Sequence, residues 1–211
     1  MATHELDKSF WEQRWMTARR ESDDASLPPN RTLIDTATAL PVGTALDAGC
    51  GEAADSLWLA ERGWTVTAVD FVASALQRGK SRAEEMGPDV AARIEWQEAD
   101  LSTWMPPAAS FDLVTTHYLH GIANRANAFR RLAAAVRPGG TLLVVGHHPS
   151  NADSSGEPMP TTMFFATADL TAVLDDDWEP VTVDDDVQRR TLNHDGQDVT
   201  VRAAMVRARR A

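Results

Sequence analysis

The chain has 211 residues, is 43% apolar and carries a formal net charge of −11, from 31 acidic and 20 basic side chains. That length suits one α/β core and is short for two, and the acid surplus argues against nucleic acid as a partner, since among the cations only Arg207, Arg209 and Arg210 cluster. The lone Cys50 excludes an intrachain disulfide, and no apolar run approaches a membrane span or a signal segment, so a cytoplasmic protein is expected.

Residues 10–16 read as a helix in which Trp11 and Trp15, four apart, share one face. This helix either docks on the core or closes over a pocket as a lid. An exposed loop follows over 21–30, and Asn30 is placed to cap a helix over 31–40 that stops before Pro41. Next comes Thr44-Ala45-Leu46-Asp47-Ala48-Gly49-Cys50-Gly51, a buried strand running into two glycines. An apolar helix run over 57–60 and a second strand, 65–70, ending in Asp70 complete the unit. Two glycines let backbone approach a ligand, and an acid 19 positions beyond Gly51 suits a pair of ribose hydroxyls, so the unit reads as a nucleotide pocket.

Gly49-Cys50-Gly51-Glu52-Ala53-Ala54 also satisfies the dinucleotide pattern G-x-G-x-x-G/A. Charge weighs against a dinucleotide. A pyrophosphate needs N–H groups and a positive dipole end, whereas Asp47, Glu52 and Asp55 line this turn with carboxylates. Such a turn suits a nucleoside with a cationic tail, and S-adenosylmethionine carries an ammonium and a sulfonium. An NAD(P)-dependent oxidoreductase and a non-catalytic S-adenosylmethionine-binding protein stand as alternatives.

Further along, residues 74–86 read as a helix and 93–97 as a strand leading to Asp100; 111–116 form a fourth strand and 127–136 a helix. Pro138-Gly139-Gly140 then turns into a buried strand over 141–146. Alternating strands and helices predict a parallel sheet with right-handed crossovers, with ligands at the carboxyl ends of its strands. Thr167 is placed to cap a helix over 169–174. Two last strands, 178–183 and 199–206, are joined by a turn at Asn193-His194-Asp195-Gly196, while the acidic runs 175–177 and 184–186 read as solvated strand-edge turns.

Asp47-Ala48-Gly49-Cys50-Gly51, Val69-Asp70, Ala99-Asp100-Leu101, Phe111-Asp112-Leu113-Val114 and Arg137-Pro138-Gly139-Gly140-Thr141-Leu142 resemble, in order and spacing, the motifs of class I S-adenosylmethionine-dependent methyltransferases. The layout is most similar to the bacterial small-molecule branch that includes the TehB-like and the thiol or thiopurine enzymes. The resemblance implies a Rossmann-like α/β fold: a mostly parallel seven-stranded sheet with helices on both faces and an antiparallel C-terminal strand. It implies one domain over 1–211, divided into an N-terminal helical lid (1–40), a cofactor-binding core (41–150) and an acceptor-side loop, helix and closing strand pair (151–211). It also implies S-adenosylmethionine contacts from Trp15, Asp47, Gly49, Cys50, Gly51, Asp70, Phe71, Asp100, Leu101 and Thr116. Where the motif often has a third glycine, this chain has Ala53, which should fit but tighten the turn.

Methyl transfer from a sulfonium is an in-line displacement, and positioning dominates it; only a hard, protonated nucleophile needs a base. Four histidines fall where the fourth and fifth strands should end: His117, His120, His147 and His148. Each reads as a base or acceptor-orienting group, as half of a metal pair, or as a loop residue bonded to backbone. No cysteine or acid spacing accompanies them, so no metal is expected. His117 leads as the acceptor-side catalytic residue, with Tyr118 able to offer a ring face to the sulfonium and His147 beside them. Cys50 reads as a small residue in the turn, and no nucleobase-methylation motif follows the fourth strand. Residues 153–165, ending in Met and Phe, read as an acceptor lid or as a pin for the next helix. The expected reaction is methylation of a small molecule, a soft S, Se or Te nucleophile or a phenol or hydroxyl, by a monomer or homodimer away from membranes.

Overall fold

The computed structural model describes residues 10, 12, 28–122, 124–153, 163–164, 166–179, 182–192 and 198–211. Trp11, Trp15, most of the 153–165 segment and the 193–196 turn lie outside the described residues. In chain order the elements are α1 (Arg31–Thr38), β1 (Thr44–Ala48), α2 (Ala54–Glu61), β2 (Thr65–Asp70), α3 (Ala73–Met86), α4 (Pro88–Ala91) and β3 (Ile94–Glu98). They continue with β4 (Phe111–His117), α5 (Arg125–Ala135), β5 (Val136–His147), a 3-10 turn (Pro149–Asp153), α6 (Thr167–Thr171), β6 (Thr182–Leu192) and β7 (Asp198–Arg209).

The seven strands form one sheet in the order β3-β2-β1-β4-β5-β7-β6. The first five run parallel, and β7 is antiparallel to both β5 and β6. Successive strand residues point to opposite faces, so each strand feeds two cores. Leu46, Ala48, Val114, Leu142 and Val144 pack with Phe129 and Leu132 of α5 and Leu170 of α6. Ala45, Val66, Leu113, Leu143 and Val145 pack on the other face with Leu33 of α1, Leu57 and Leu59 of α2 and Val90 of α4. Each fully buried Leu or Val contributes roughly 1.5–3 kcal/mol, which makes the sheet a rigid platform.

At the far edge Asp112 stitches β4 to β1. Its Oδ2 accepts from Thr44 N–H at 2.8 Å and Thr44 Oγ1 at 2.9 Å, and it pairs with Arg137. A Cβ on Gly43 would stand 2.3 Å from that oxygen, so glycine is what the approach allows.

Several elements depart from local expectation. The 138–140 segment is part of β5, not a turn before it, because Gly139 N–H donates to Arg210 O and Arg210 N–H returns to Gly140 O, both at 2.9 Å. That partner is 70 residues away and leaves no local trace. Thr167 is the first helical residue of α6 instead of its cap; Ala166 takes the cap position without a side-chain bond, and the helix ends at Thr171. Strand β6 starts at Thr182, with Trp178 in an isolated bridge to Arg210, so the 184–186 acids lie within an edge strand that shifts register between Asp184 and Val187. Charge on an edge strand discourages pairing with other chains. Asn30 caps α1 as expected, accepting from Thr32 N–H at 3.0 Å, though the helix stops at Thr38.

Candidate active site

β1 and β4 are neighbours at the point where strand order reverses, and crevices open at such points. The chain leaves β1 through Gly49 (φ 80°) and Gly51 (φ 54°), in the left-handed region that side chains resist. A Cβ at Gly49 would also press to 3.2 Å from Leu119 Cδ1. The N–H groups of Gly49 and Cys50 both donate to Val69 O, at 2.8 and 3.0 Å, locking the bend to the end of β2. Gly51 N–H donates to Asp70 Oδ2 and Val72 N–H to Asp70 Oδ1, each at 2.9 Å. Asp70 therefore holds the glycine bend as well as closing β2. Its burial raises its pKa, while the backbone donors of Val72, Gly51 and Phe71 oppose the rise.

A second acidic centre lies under the first turn of α2. Asp47 is buried and accepts from Ser56 Oγ at 2.6 Å. Burial above all, then the negative charge of Asp55, raises its pKa to about 7, against the pull of the Ser56 hydroxyl and His117. Asp55 accepts from Asn30 N–H at 2.6 Å and stands 2.6 Å from His117 Nδ1. The opposite ring nitrogen, His117 Nε2, lies 3.3 Å from Thr115 Oγ1. The start of α1, the first turn of α2 and the end of β4 thus meet at one carboxylate.

The His117 side chain is only 7% exposed, with Nδ1 beside Asp55 and Nε2 near Thr115, so its ring lies in the wall shared by β4 and α2. The histidines meet different fates. His148 Nδ1 bonds within its own loop, to Ser150 Oγ at 2.8 Å and Ser150 N–H at 3.1 Å. His120 stacks on His147 with ring centroids 5.2 Å apart and planes 5° apart, and Tyr118 tilts onto His147 at 4.6 Å. Tyr118 is itself left-handed (φ 53°), an uncommon state for a bulky residue, held by its N–H to Val145 O at 2.7 Å.

The remaining positions divide. Asp100 is exposed and caps its own turn through Ser102 N–H at 2.7 Å, whereas Leu101 is buried beside the bend and Phe71 is half-buried. Thr116 shares the face of Val114, opposite Thr115 and His117, and its hydroxyl is buried without a hydrogen-bond partner. Cys50 is half-buried, and burial together with Asp47 and Asp70 pushes its thiol up, which makes it inert as a nucleophile. Glu52 is tied to Arg78, so the uncompensated acid near the bend belongs to Asp47 and Asp70. Ser56 and Asn30 were not anticipated as site residues. Ser56, a hydroxyl in the first turn of α2 just ahead of its apolar run, was the available signal. Among the described residues no group of three or more His, Cys, Asp or Glu could hold a metal ion.

The sheet order, the glycine bend and the carboxylate closing β2 define a Rossmann-like α/β protein. Residues 45–140 match the methyltransferase domain family. Over 114 residues the chain is 40% identical to an uncharacterized methyltransferase of Mycobacterium tuberculosis, covering 54% of this chain and 55% of the relative. Over 142 residues it is 30% identical to a trans-aconitate 2-methyltransferase of Sinorhizobium medicae, covering 66% of this chain and 51% of that one. The chain spans about half the length of the curated relatives it matches. The solved structure of TehB from Haemophilus influenzae is similar with a TM-score of 0.70 and 19% identity, over 92% of this chain and 65% of that one. Residues 45–140 are thus similar to methyltransferase domains, and the chain shares the fold of TehB.

Proposed function

We propose that the protein transfers a methyl group from S-adenosylmethionine to a small-molecule acceptor, by in-line displacement in which positioning dominates. The observation that carries this reading is the glycine bend itself: two left-handed glycines clamped by Val69 and Asp70, with the buried Asp47 and the half-buried Asp55 alongside. When bound, S-adenosylmethionine supplies an electrophilic methyl group and departs as a neutral thioether. Asp70 retains lone pairs beyond its two backbone bonds and would accept the ribose hydroxyls. Asp47 would face the cationic tail, with Gly49, Cys50 and Gly51 giving the backbone approach. Leu101 and Phe71 would flank the adenine, Asp100 would accept from its amine with the oxygen not used in its own turn, and Thr116 would offer its buried hydroxyl. Trp15 would cover the cofactor from the N-terminal segment.

His117, held by Asp55 and Thr115, is a positioning residue that fixes the wall between α2 and β4. Tyr118 and His147 stand on the acceptor side. The acceptor is a soft S, Se or Te nucleophile or a phenol or hydroxyl, and the relative named for trans-aconitate supports a small organic acid among the acceptors to be screened. Titration with S-adenosylmethionine and with NADH separates this from a dinucleotide enzyme, and release of S-adenosylhomocysteine across thiols, phenols, carboxylates and metalloid oxyanions reports turnover. Binding of NADH without S-adenosylmethionine refutes the proposal, and cofactor binding with no release across the panel favours a non-catalytic binding protein.

A further inference from the structure

The residues proposed to hold the ribose and the base belong to neighbouring strands, so their separation depends on how the chain leaves β3. Strand β3 pairs with β2 as far as Glu98 opposite Asp70, and Ala99 N–H then donates to Asp70 O at 3.0 Å. Beyond that point the chain winds into one tight turn. Ser102 N–H bonds Asp100 Oδ1 at 2.7 Å, and the N–H groups of Thr103 and Trp104 both bond Asp100 O, at 3.0 and 2.7 Å. These bonds are local, and Asp100, Ser102 and Thr103 are exposed. They give the turn its shape but not its place.

Its place is set by α5. Arg131 Nη2, 30 and 29 positions further along the chain, donates to Leu101 O at 2.8 Å and to Ser102 O at 2.7 Å. One guanidinium nitrogen thus holds two successive carbonyls of the turn, and bonds from a charged donor are the strong ones. The arginine is drawn in to do so: its Nε is buried and makes no hydrogen bond among the described residues. Helix α5 is itself fixed, since Phe129 and Leu132 are buried in the same core as Leu101. Leu101 in turn touches the glycine bend, its Cδ1 standing 3.7 Å from where a Cβ on Gly49 would be. Resting on the transferase reading above, we infer that Arg131 is a positioning residue for base recognition: it holds the turn that carries Asp100, and with it the selectivity for a 6-aminopurine over a 6-oxopurine. A carboxylate accepts from the amine of adenine and repels the oxygen at the same position of hypoxanthine, and both effects require that the carboxylate stay in place. Asp70 is held separately, by the N–H groups of Gly51 and Val72, so loosening the turn spares the ribose contacts.

The test titrates S-adenosylhomocysteine and S-inosylhomocysteine, which differ only in the base, and reads their affinities by calorimetry. The wild-type chain should favour the adenine ligand by at least about tenfold, the scale of one charge-assisted hydrogen bond. Arg131→Met keeps the stem and loses the donors, and Arg131→Gln is too short to span both carbonyls. Each should reduce the ratio severalfold by weakening the adenine ligand, with affinity for the inosine ligand held within about twofold. If one variant fails to fold, the other carries the measurement. Arg131→Lys, which restores a cation near the carbonyls, should recover most of the ratio, and Arg131→Met added to Asp100→Ala should lower the ratio no further. No preference in the wild-type chain, an unchanged ratio in the Met and Gln variants, or equal weakening of both ligands overturns the inference. Failure of both ligands and of S-adenosylmethionine to bind the wild-type chain would instead overturn the transferase reading, which keeps the two outcomes apart.

Discussion

The two sides of the crevice are made in opposite ways. The proposed cofactor side centres on one short stretch of chain, from Asp47 to Val72, where the backbone N–H groups of Gly51 and Val72 bond Asp70 and the Ser56 hydroxyl bonds Asp47. The proposed acceptor side, around Tyr118 and His147, is held instead by ring contacts among Tyr118, His120 and His147. A site wired through backbone geometry tolerates little change in its side chains. One made of side chains resting on side chains can exchange them, so the fold can keep its cofactor while its acceptor varies.

The sharpest break of that contrast is Asp70→Ala. It would remove the proposed ribose acceptor and strand the Gly51 and Val72 N–H groups together, so cofactor affinity measured by calorimetry should fall by about 3 kcal/mol, more than a hundredfold. Asp70→Asn keeps one acceptor and should lose roughly half of that. Unchanged affinity in the alanine variant would take Asp70 out of the cofactor site.

Asp47 sharpens the contrast through pH. Its folded pKa of about 7 lies above the ordinary value of 3.8, so the native state keeps a proton that the unfolded chain gives up between those values. Stability from this group is full below about pH 4 and is lost as pH rises through 7, by on the order of 4 kcal/mol in total. A cationic ligand favours the ionised form, so S-adenosylmethionine should bind more tightly as pH rises from 6 to 7.5 and should release a proton on binding near pH 6. Asp47→Asn should abolish both slopes, raise apo-protein stability at pH 8 and weaken cofactor binding by about 2 kcal/mol. Calorimetry in buffers of different ionisation heat reads the proton directly, and proton uptake would refute the assignment.

His117 lies on the boundary between the two regions, and it shows where the sequence was legible. The order of elements, the glycine bend and Asp70 could be read because their partners are near in the chain and follow from strand and helix period. Convergence of the histidines on one edge was also visible. Which ring faces which neighbour was not, since that depends on Asp55 reaching 62 positions along the chain and on Tyr118 adopting a left-handed backbone. His117→Asn should cost about 2 kcal/mol of stability in denaturant unfolding by leaving Asp55 without its partner. The shape of the turnover pH profile should stay the same. A loss of turnover with unaltered stability would return His117 to the acceptor side.

The smallest effect is expected at Ala53, the position where a glycine is common in similar turns. Its φ of 64° and ψ of 31° place it in the left-handed region as the cap of α2, fully buried. That conformation costs an alanine roughly 1–2 kcal/mol. Ala53→Gly would remove the strain but would also give up about 0.8 kcal/mol of methyl burial and about 0.4–1 kcal/mol through a freer unfolded chain. The opposing terms nearly cancel, so stability should change by less than about 1 kcal/mol. A larger gain would mean that the bend is strained by its alanine and that the rigidity of the cofactor side is partly stored there. A larger loss would mean that the methyl is a packing element, a reading consistent with its crowding of Gly79, where an added Cβ would stand 3.0 Å from it.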